Sequence, residues 1–527
     1  METTANGLKR VRKNIDNQII GIPLRLTKHL AIFSLGLLSI SCNQEKQKLK
    51  KPNLLFIWTD EQQARTMAAY GNTKIKTPNL NKLAEQSVVF LNPYVTQPVC
   101  TPSRAAIMTG LYPHTSGCLS NNTPLNDSIS ALPGLLNDAA YKTAYMGKWH
   151  LGEEIFPHQG FQTWVSLEDS YSGYFKNAGD KEARSSYHKW LLSKGYKPDT
   201  EDNKFSRGFA AKLPIEHCKP GFLAEQACQY LENNKENPFI LYVNFLEPHM
   251  PFTGPLDNMY RPEDVDLPGN YTDPLDESEP LRFRLKREGT MKKYGESEAD
   301  MRKLIAKYWG LVSQVDQSVG KILDKLKELG LDENTIIVFT SDHGDMMGAH
   351  NMVEKQVMFE EAVRVPLLIK VPSLKGRQIK INQRVSQIDI VPTLLDLMGG
   401  KIAGHLQGKS LVPLIRGEKE AGDFVFIEWN PDPEYNVNQY KNSGLAPVND
   451  ILSAEETSTR AVISPDGWKL CLSNKDKNQL YNLKNDSMET TNLFNDPKYR
   501  EKVRELAGKI SDWQVQTKDT TVVVTGI

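Results

Sequence analysis

Hydrophobic and polar positions alternate between two regimes along this chain. Short unbroken apolar runs, each followed at once by charged residues, are separated by segments whose apolar positions recur at helical spacing. Residues 53–59 (Asn-Leu-Leu-Phe-Ile-Trp-Thr) form the first run, bounded by Pro52 and an acidic pair, and read as a strand buried on both faces. Residues 142–147, 239–245 and 335–340 repeat the pattern, and 367–371 add a fifth strand. Residues 78–90 read as an amphipathic helix, and residues 385–395 read as the entry to another, with Pro392 near its N-terminus. Residues 300–329 carry Leu304, Tyr308, Leu311, Val315, Val319, Ile322 and Leu326 on one face and stop at Gly330, which predicts a long core helix. Strands alternating with helices predict an α/β protein with a large, mainly parallel sheet sandwiched by helices.

The charged residues after the runs are of one chemical kind. Asp60 and Glu61 follow the first strand. Lys148 and His150 follow the second, in Gly147-Lys-Trp-His-Leu-Gly152, and His249 follows the third, in Leu246-Glu-Pro-His249. Asp342 and His343 follow the fourth, in Ser341-Asp-His-Gly-Asp345, with His350 and Lys355 soon after. Sites in open α/β sheets form outside the carboxyl ends of strands, so these are candidates for metal and acid/base work. Singly, each has a plainer reading: Asp60 can cap the next helix, and a loop histidine can bond locally. Their joint placement at every strand end favours a site.

The nucleophile candidate lies in Val99-Cys-Thr-Pro-Ser-Arg-Ala-Ala-Ile-Met-Thr-Gly110. Pro102 and Ser103 suit a first helical turn and Gly110 suits the end, which puts Cys100 at a helix N-terminus, where an anion is favoured. Arg104 adds a fixed cationic fork. A buried structural cysteine beside an arginine is the plain alternative for this stretch alone. The Cys-X-Pro-Ser-Arg pattern, with the Ala-X-X-X-Thr-Gly that follows and the Gly-Lys-X-His and Ser-Asp-His-Gly segments, resembles type I sulfatases. The resemblance covers nearly everything from Lys51 onward.

That resemblance implies an alkaline-phosphatase-like fold and a site residue by residue. Cys100 would be oxidised to formylglycine (3-oxoalanine) by a sulfatase-maturing enzyme. Its hydrate avoids a trap: a thiolate, with a free pKa of roughly 8.5, would leave a stable sulfur adduct, whereas a geminal diol can collapse and release sulfate. Asp60, Glu61, Asp342, His343 and the modified Cys100 would hold one divalent cation. Calcium is implied, with a transition ion left open by the softer His343. Arg104 would hold the hydrate, Lys148 and Lys355 would grip sulfate oxygens, and His150 would take the diol proton. His249 would protonate the leaving oxygen, and His350 would stand behind the ligands.

Composition refines the picture. Lys and Arg (64) balance Asp and Glu (64) over 527 residues, so net charge draws no nucleic acid. Six irregularly spaced cysteines exclude a disulfide scaffold and a cysteine zinc site, while a Cys218–Cys228 pair stays open. Basic residues precede the apolar run 30–40, which is too short for a transmembrane span in the mature chain, and small residues precede Cys42. Residues 1–41 therefore read as a signal peptide and 42–51 as a linker. Cys42 is a candidate for lipidation, an ordinary secretory signal being the alternative; either exports the protein to a bacterial envelope or periplasm. The catalytic domain is expected over 52–418 and a smaller α+β domain over 419–527.

Within the superfamily a phosphodiester or phosphonate hydrolase is the rival reading, and an inactive carbohydrate-binding lipoprotein is the rival of another class. The expected substrate is a sulfated oligosaccharide from a sulfated polysaccharide. Tyr171, Tyr174, Tyr187, Trp190, His217, Tyr260 and Arg261, in stretches read as loops and short helices, are the candidate sugar contacts.

Overall fold

Eight strands build one sheet: β1 (Asn53–Asp60), β2 (Val88–Tyr94), β3 (Lys142–Gly147), β4 (Thr163–Ser166), β5 (Phe239–Pro248), β6 (Thr335–Ser341), β7 (Leu367–Lys370) and β8 (Ile379–Ser386). Their order is β4-β3-β5-β1-β6-β7-β2-β8. Only β7 runs against its neighbours, so β1, β3, β5 and β6 end at the same edge. This computed structural model describes residues 51–171, 182–418, 422–432 and 440–523. The expected signal peptide, Cys42 and Tyr174 lie outside the described residues.

Strand alternation sorts the core. Leu55 and Ile57 of β1 face one side, packing with Val243, Phe245, Val315, Val319 and Ile322; Leu54, Phe56 and Trp58 face the other, with Tyr242, Ile107, Val391 and Leu394. Full burial of each such side chain contributes roughly 1.5–3 kcal/mol. The first face is covered by the helices Lys219–Asn234 and Glu298–Glu328. The long helix begins where Ser297 Oγ accepts from the Asp300 N–H at 3.1 Å, with acidic residues in its first turn and lysines in its last. The second face is covered by the helices Cys100–Thr109 and Ile390–Leu397.

The structure differs from the sequence expectation in three places. The helix expected over 78–90 stops at Glu85, and Val88, Val89 and Phe90 enter β2 between β7 and β8. Burial of that β-branched and aromatic run between two strands overrides its helical spacing. Residues expected to begin a helix at 385 finish β8 instead, and the helix starts at Ile390. The stretch 165–235, expected as loops and short helices, holds the 16-residue helix Lys219–Asn234, whose polar residues disguise the buried spacing of Phe222, Leu223, Ala227, Tyr230 and Leu231.

A second, antiparallel sheet is built from β9 (Val425–Trp429), β10 (Thr459–Ile463), β11 (Trp468–Ser473) and β12 (Gln479–Asn482), in the order β12-β11-β10-β9. The helix Arg500–Thr517 lays Val503, Leu506 and Ile510 on it. Glu428 of β9 donates its N–H to the Thr96 carbonyl at 2.7 Å, so this sheet braces the segment that delivers Cys100. Cys100, Cys118, Cys218, Cys228 and Cys471 are all free thiols, which closes the Cys218–Cys228 alternative. Among the described residues no helix is long and apolar enough to cross a membrane.

Candidate active site

Cys100 is the first residue of its helix, and every residue of that helix is buried. Gly110 ends it at φ +71°, returning its N–H to the Ala106 carbonyl at 2.9 Å. Ser103 Oγ sits against the Asp342 carbonyl and 2.8 Å from Gln387 Oε1. Gln387 Nε2 donates to the same Asp342 carbonyl at 3.1 Å. The helix start is thereby clamped to the end of β6.

Four ligating atoms, from Asp60, Cys100, Asp342 and His343, lie within 4.8 Å of one another, and all four residues are buried. His343 Nε2 is 3.2 Å from Cys100 Sγ and 3.6 Å from both Asp60 Oδ1 and Asp342 Oδ1. Burial disfavours the imidazolium, but Asp342 and the Cys100 sulfur outweigh it and lift His343 to about 10. A mixed oxygen, nitrogen and sulfur donor set that already favours positive charge fits a divalent cation. Glu61 belongs to a second group that shares Asp60 with the first. It groups with Asp60 and His249, and its Oε2 accepts from Lys355 Nζ at 3.0 Å. Burial raises its carboxyl to about 8 against the pull of Lys355.

Arg104 is turned toward the carboxylates. Its Nη2 donates to Asp60 Oδ2 at 2.7 Å, its Nε lies 3.0 Å from Asp342 Oδ2, and its Nη1 donates to Asn244 Oδ1 and the Lys148 carbonyl, both at 2.8 Å. In this geometry it braces the acids, and no hydrogen bond joins it to Cys100. Lys148 Nζ donates to Asp60 Oδ2 at 2.6 Å. Burial pushes against the Asp60 carboxylate, yet Lys148 and Arg104 hold it well below the usual range. Gly147 makes this possible: at φ +126°, a Cβ there would stand 2.0 Å from the Asn244 carbonyl.

The histidines flank this centre. His150 Nε2 is 2.8 Å from Asn122 Oδ1, and its backbone N–H is held by Glu154. Burial, then Lys148 and Arg104, depress it well below 6.5, so it is neutral and can take a proton. His249 Nδ1 faces the Met250 carbonyl at 2.9 Å and carries the proton, leaving Nε2 to accept from Lys355 at 3.2 Å. His350 stands behind, between Asp273 at 2.5 Å and Asn270 at 3.0 Å, stacked on Phe359.

Most of the expected sugar contacts pack the fold instead. Tyr187 is buried with its hydroxyl on the His217 carbonyl, Trp190 stacks over Tyr187, and Tyr260 bonds Ser313. Arg261 pairs with Asp264 at the surface. Tyr171 alone of the described set stands beside a site residue, its ring 4.7 Å from that of His150. Asn244 and Gln387 are absent from the sequence expectations. A polar Asn inside the apolar run 239–245 was the readable signal for the first; Gln387 carries none of its own.

The mainly parallel sheet flanked by helices is the alkaline-phosphatase-like fold, and solved structures agree. Phosphonate monoester hydrolase from Silicibacter pomeroyi superposes with a TM-score of 0.73 at 22% identity, covering 89% of this chain and 96% of that one. The sulfatase family model matches residues 52–400, and one described as N-sulphoglucosamine sulphohydrolase, C-terminal, matches 348–516. The chain belongs to the sulfatase family and is a sulfuric ester hydrolase. An ulvan-active sulfatase from Formosa agariphila is 30% identical, covering 80% of this chain and 75% of its own. An N-acetylglucosamine-6-O-sulfatase from Bacteroides thetaiotaomicron is 28% identical, covering 94% and 92%.

Proposed function

We propose that this chain is an exported sulfatase that releases sulfate from sulfated carbohydrates, oligosaccharides of sulfated polysaccharides, using formylglycine made from Cys100. The observation that carries the reading is Cys100 at a helix N-terminus, its Sγ 3.2 Å from His343 Nε2 and 3.7 Å from Asp60 Oδ1, with Lys148 and Lys355 alongside. Relatives named for ulvan, N-acetylglucosamine-6-O-sulfate and Delta 4,5-hexuronate-2-O-sulfate support the carbohydrate class. Asp60, Asp342, His343 and residue 100 hold one divalent cation, calcium being the first candidate. When bound, the cation neutralises sulfate and lowers the pKa of the attacking hydroxyl.

The chain's own groups do the rest. Lys148 and Lys355 attract the sulfate oxygens, and both stay cationic because Asp60 and Glu61 outweigh their burial. One hydroxyl of the residue-100 hydrate attacks sulfur as the sugar oxygen leaves. His249 Nε2 passes to that oxygen the proton that the attacking hydroxyl gives up, while Lys355 stays cationic beside it. Neutral His150 then takes the proton of the remaining hydroxyl. The C–O bond breaks, sulfate departs, and the aldehyde regains water. Residues 1–41 support export, and Cys42 is the candidate lipid anchor, with simple secretion the alternative. The rival reading has a specific support, the fold shared with phosphonate monoester hydrolases. Matured protein should hydrolyse an aryl sulfate at least 100-fold more efficiently than the aryl phosphonate ester, as expected of a site tuned to one transition state. A reversed preference makes it a phosphonate hydrolase.

A further inference from the structure

Beside His150 stands a group of charges that the reaction does not use. The Tyr171 hydroxyl accepts from Arg207 Nη2 at 3.3 Å, and the Tyr171 ring lies 4.7 Å from that of His150. Arg207 opens the short helix Arg207–Ala210, where Ser206 Oγ accepts from the Phe209 N–H at 3.0 Å. Its Nε donates to Glu168 Oε1 at 2.9 Å, and Nη2 grips the other oxygen. The Nη1 edge has no hydrogen-bond partner among the described residues, and the side chain is 28% exposed.

Glu168 is buried and answers two cations, Arg207 and Lys219, the latter at 2.5 Å. Burial works against its charge, but Arg207 and Lys219 keep it ionised. Glu247, the nearby carboxyl at the end of β5, is lifted to about 7 by burial and offsets only part of the excess at neutral pH. Lys148 shares Asp60 with Arg104, and Lys355 faces Glu61. Arg207 is thus a cation pinned along one edge and open along the other. Its charge reaches Asp60, His150 and His249, so it stands alongside the catalytic histidines. A planar fork held in this way matches a second carboxylate or sulfate.

We propose that Arg207 is a specificity-determining residue that receives a second anionic group, carboxylate or sulfate, on the carbohydrate whose sulfate ester is cleaved. The preferred substrates are then acidic carbohydrate sulfates. This rests on the sulfatase reading above.

The test uses the full chain, matured for kinetics and carrying Cys100→Ala for binding. Three substrates are compared: a monosulfated neutral disaccharide, the same sugar with a second sulfate, and a monosulfated disaccharide containing a uronic acid. Arg207→Gln should lower the kcat/KM ratio of acidic over neutral substrate roughly 10- to 100-fold, mainly through KM, as for loss of a charged hydrogen bond. Arg207→Lys keeps a cation on Glu168 but loses the fork; it should recover only part, and it carries the test if the glutamine variant fails to fold. Whichever acidic probe shows the preference identifies the group as carboxylate or sulfate. Equal losses on all three substrates, or an unchanged ratio, overturn the proposal. In the Cys100→Ala background, the desulfated uronic disaccharide, or the neutral disaccharide carrying only the second sulfate, should bind more weakly once Arg207→Gln is added. That comparison decides Arg207 even if no form of the enzyme releases sulfate, an outcome that sinks the sulfatase reading alone.

Discussion

The two ends of the site are held in different ways. At the sulfate end Asp60, Arg104, Asp342 and His343 are wholly buried, and each is fixed from at least two directions by strand ends or the Cys100 helix. At the proposed sugar end Tyr171 sits on a connection and Arg207 on a four-residue helix, and Arg207 keeps an open edge. On the proposed reading the sheet fixes the chemistry, while the short segments around Tyr171 and Arg207 set which ester is presented to it. Loops can vary without disturbing strand ends, so selectivity can change over an unchanged centre.

The sharpest way to test that division is to remove the nucleophile. Cys100→Ala should fold with a melting temperature close to the wild type, because the small side chain leaves the helix and its clamps in place. Turnover should fall at least ~10⁴-fold, as for loss of a covalent nucleophile. Peptide mass spectrometry of active wild-type protein should show the aldehyde or its hydrate at position 100. Active protein with an intact thiol there contradicts the proposed chemistry.

Next in size is Asp342→Asn. It removes one proposed charged ligand and one of the two carboxylates that pair with buried Arg104. We expect turnover to fall about 100- to 1,000-fold together with bound metal, and stability to fall by about 3–5 kcal/mol, the range for breaking a buried ion pair. Elemental analysis and urea unfolding on the same preparation check both. Full metal content with lost activity moves the residue out of the ligand set.

Legibility in the sequence follows the same division. Asp60, Asp342 and His343 were readable because an apolar run ending in an acid marks the carboxyl edge of a strand wherever it occurs. The proposed role of Arg104 was less so: its motif marks the residue, but only the fold shows its fork turned to Asp60 and Asp342. The helix expected over 78–90 failed where β2 needed Val88 to Phe90, since strand pairing is a long-range event that local spacing does not record. The aromatic residues were misread for a related reason. Tyr187 and Trp190 look amphipathic in sequence, yet the unforeseen helix Lys219–Asn234 gives them Phe222 to pack against.

Asn244 offers a smaller perturbation of the sulfate end. Asn244→Ala removes one of two acceptors on Arg104 Nη1 and leaves the carboxylates in place. A loss of about 1–3 kcal/mol in stability is expected for a buried group left short of a partner, with about a tenfold fall in kcat. Metal content should stay at the wild-type level. If activity and metal fall as far as in Asp342→Asn, the sulfate end depends on single contacts, and the contrast with the sugar end weakens.

The smallest expected effect is at Tyr171, where the two ends meet. Its hydroxyl touches Arg207 at 3.3 Å, while its ring lies 4.7 Å from His150, so one residue faces both the open cation and the proposed base. Tyr171→Phe keeps the ring and removes the hydroxyl. The donor is charged but the contact is long, so the bond is worth about 1 kcal/mol, and the preference for acidic over neutral substrate should fall about two- to fivefold, with kcat on the neutral sugar barely moved. Tyr171→Ala removes the ring as well, and contacts between rings are worth about 0.5–1.5 kcal/mol. That variant should lower kcat on every substrate by a further factor of about three to ten, because His150 loses the surface that orients it. The two substitutions thus separate selectivity from chemistry at one position. If the phenylalanine variant lowers kcat on all substrates equally and leaves the preference intact, Tyr171 serves His150 alone, and the boundary between the two ends lies beyond it, at Arg207.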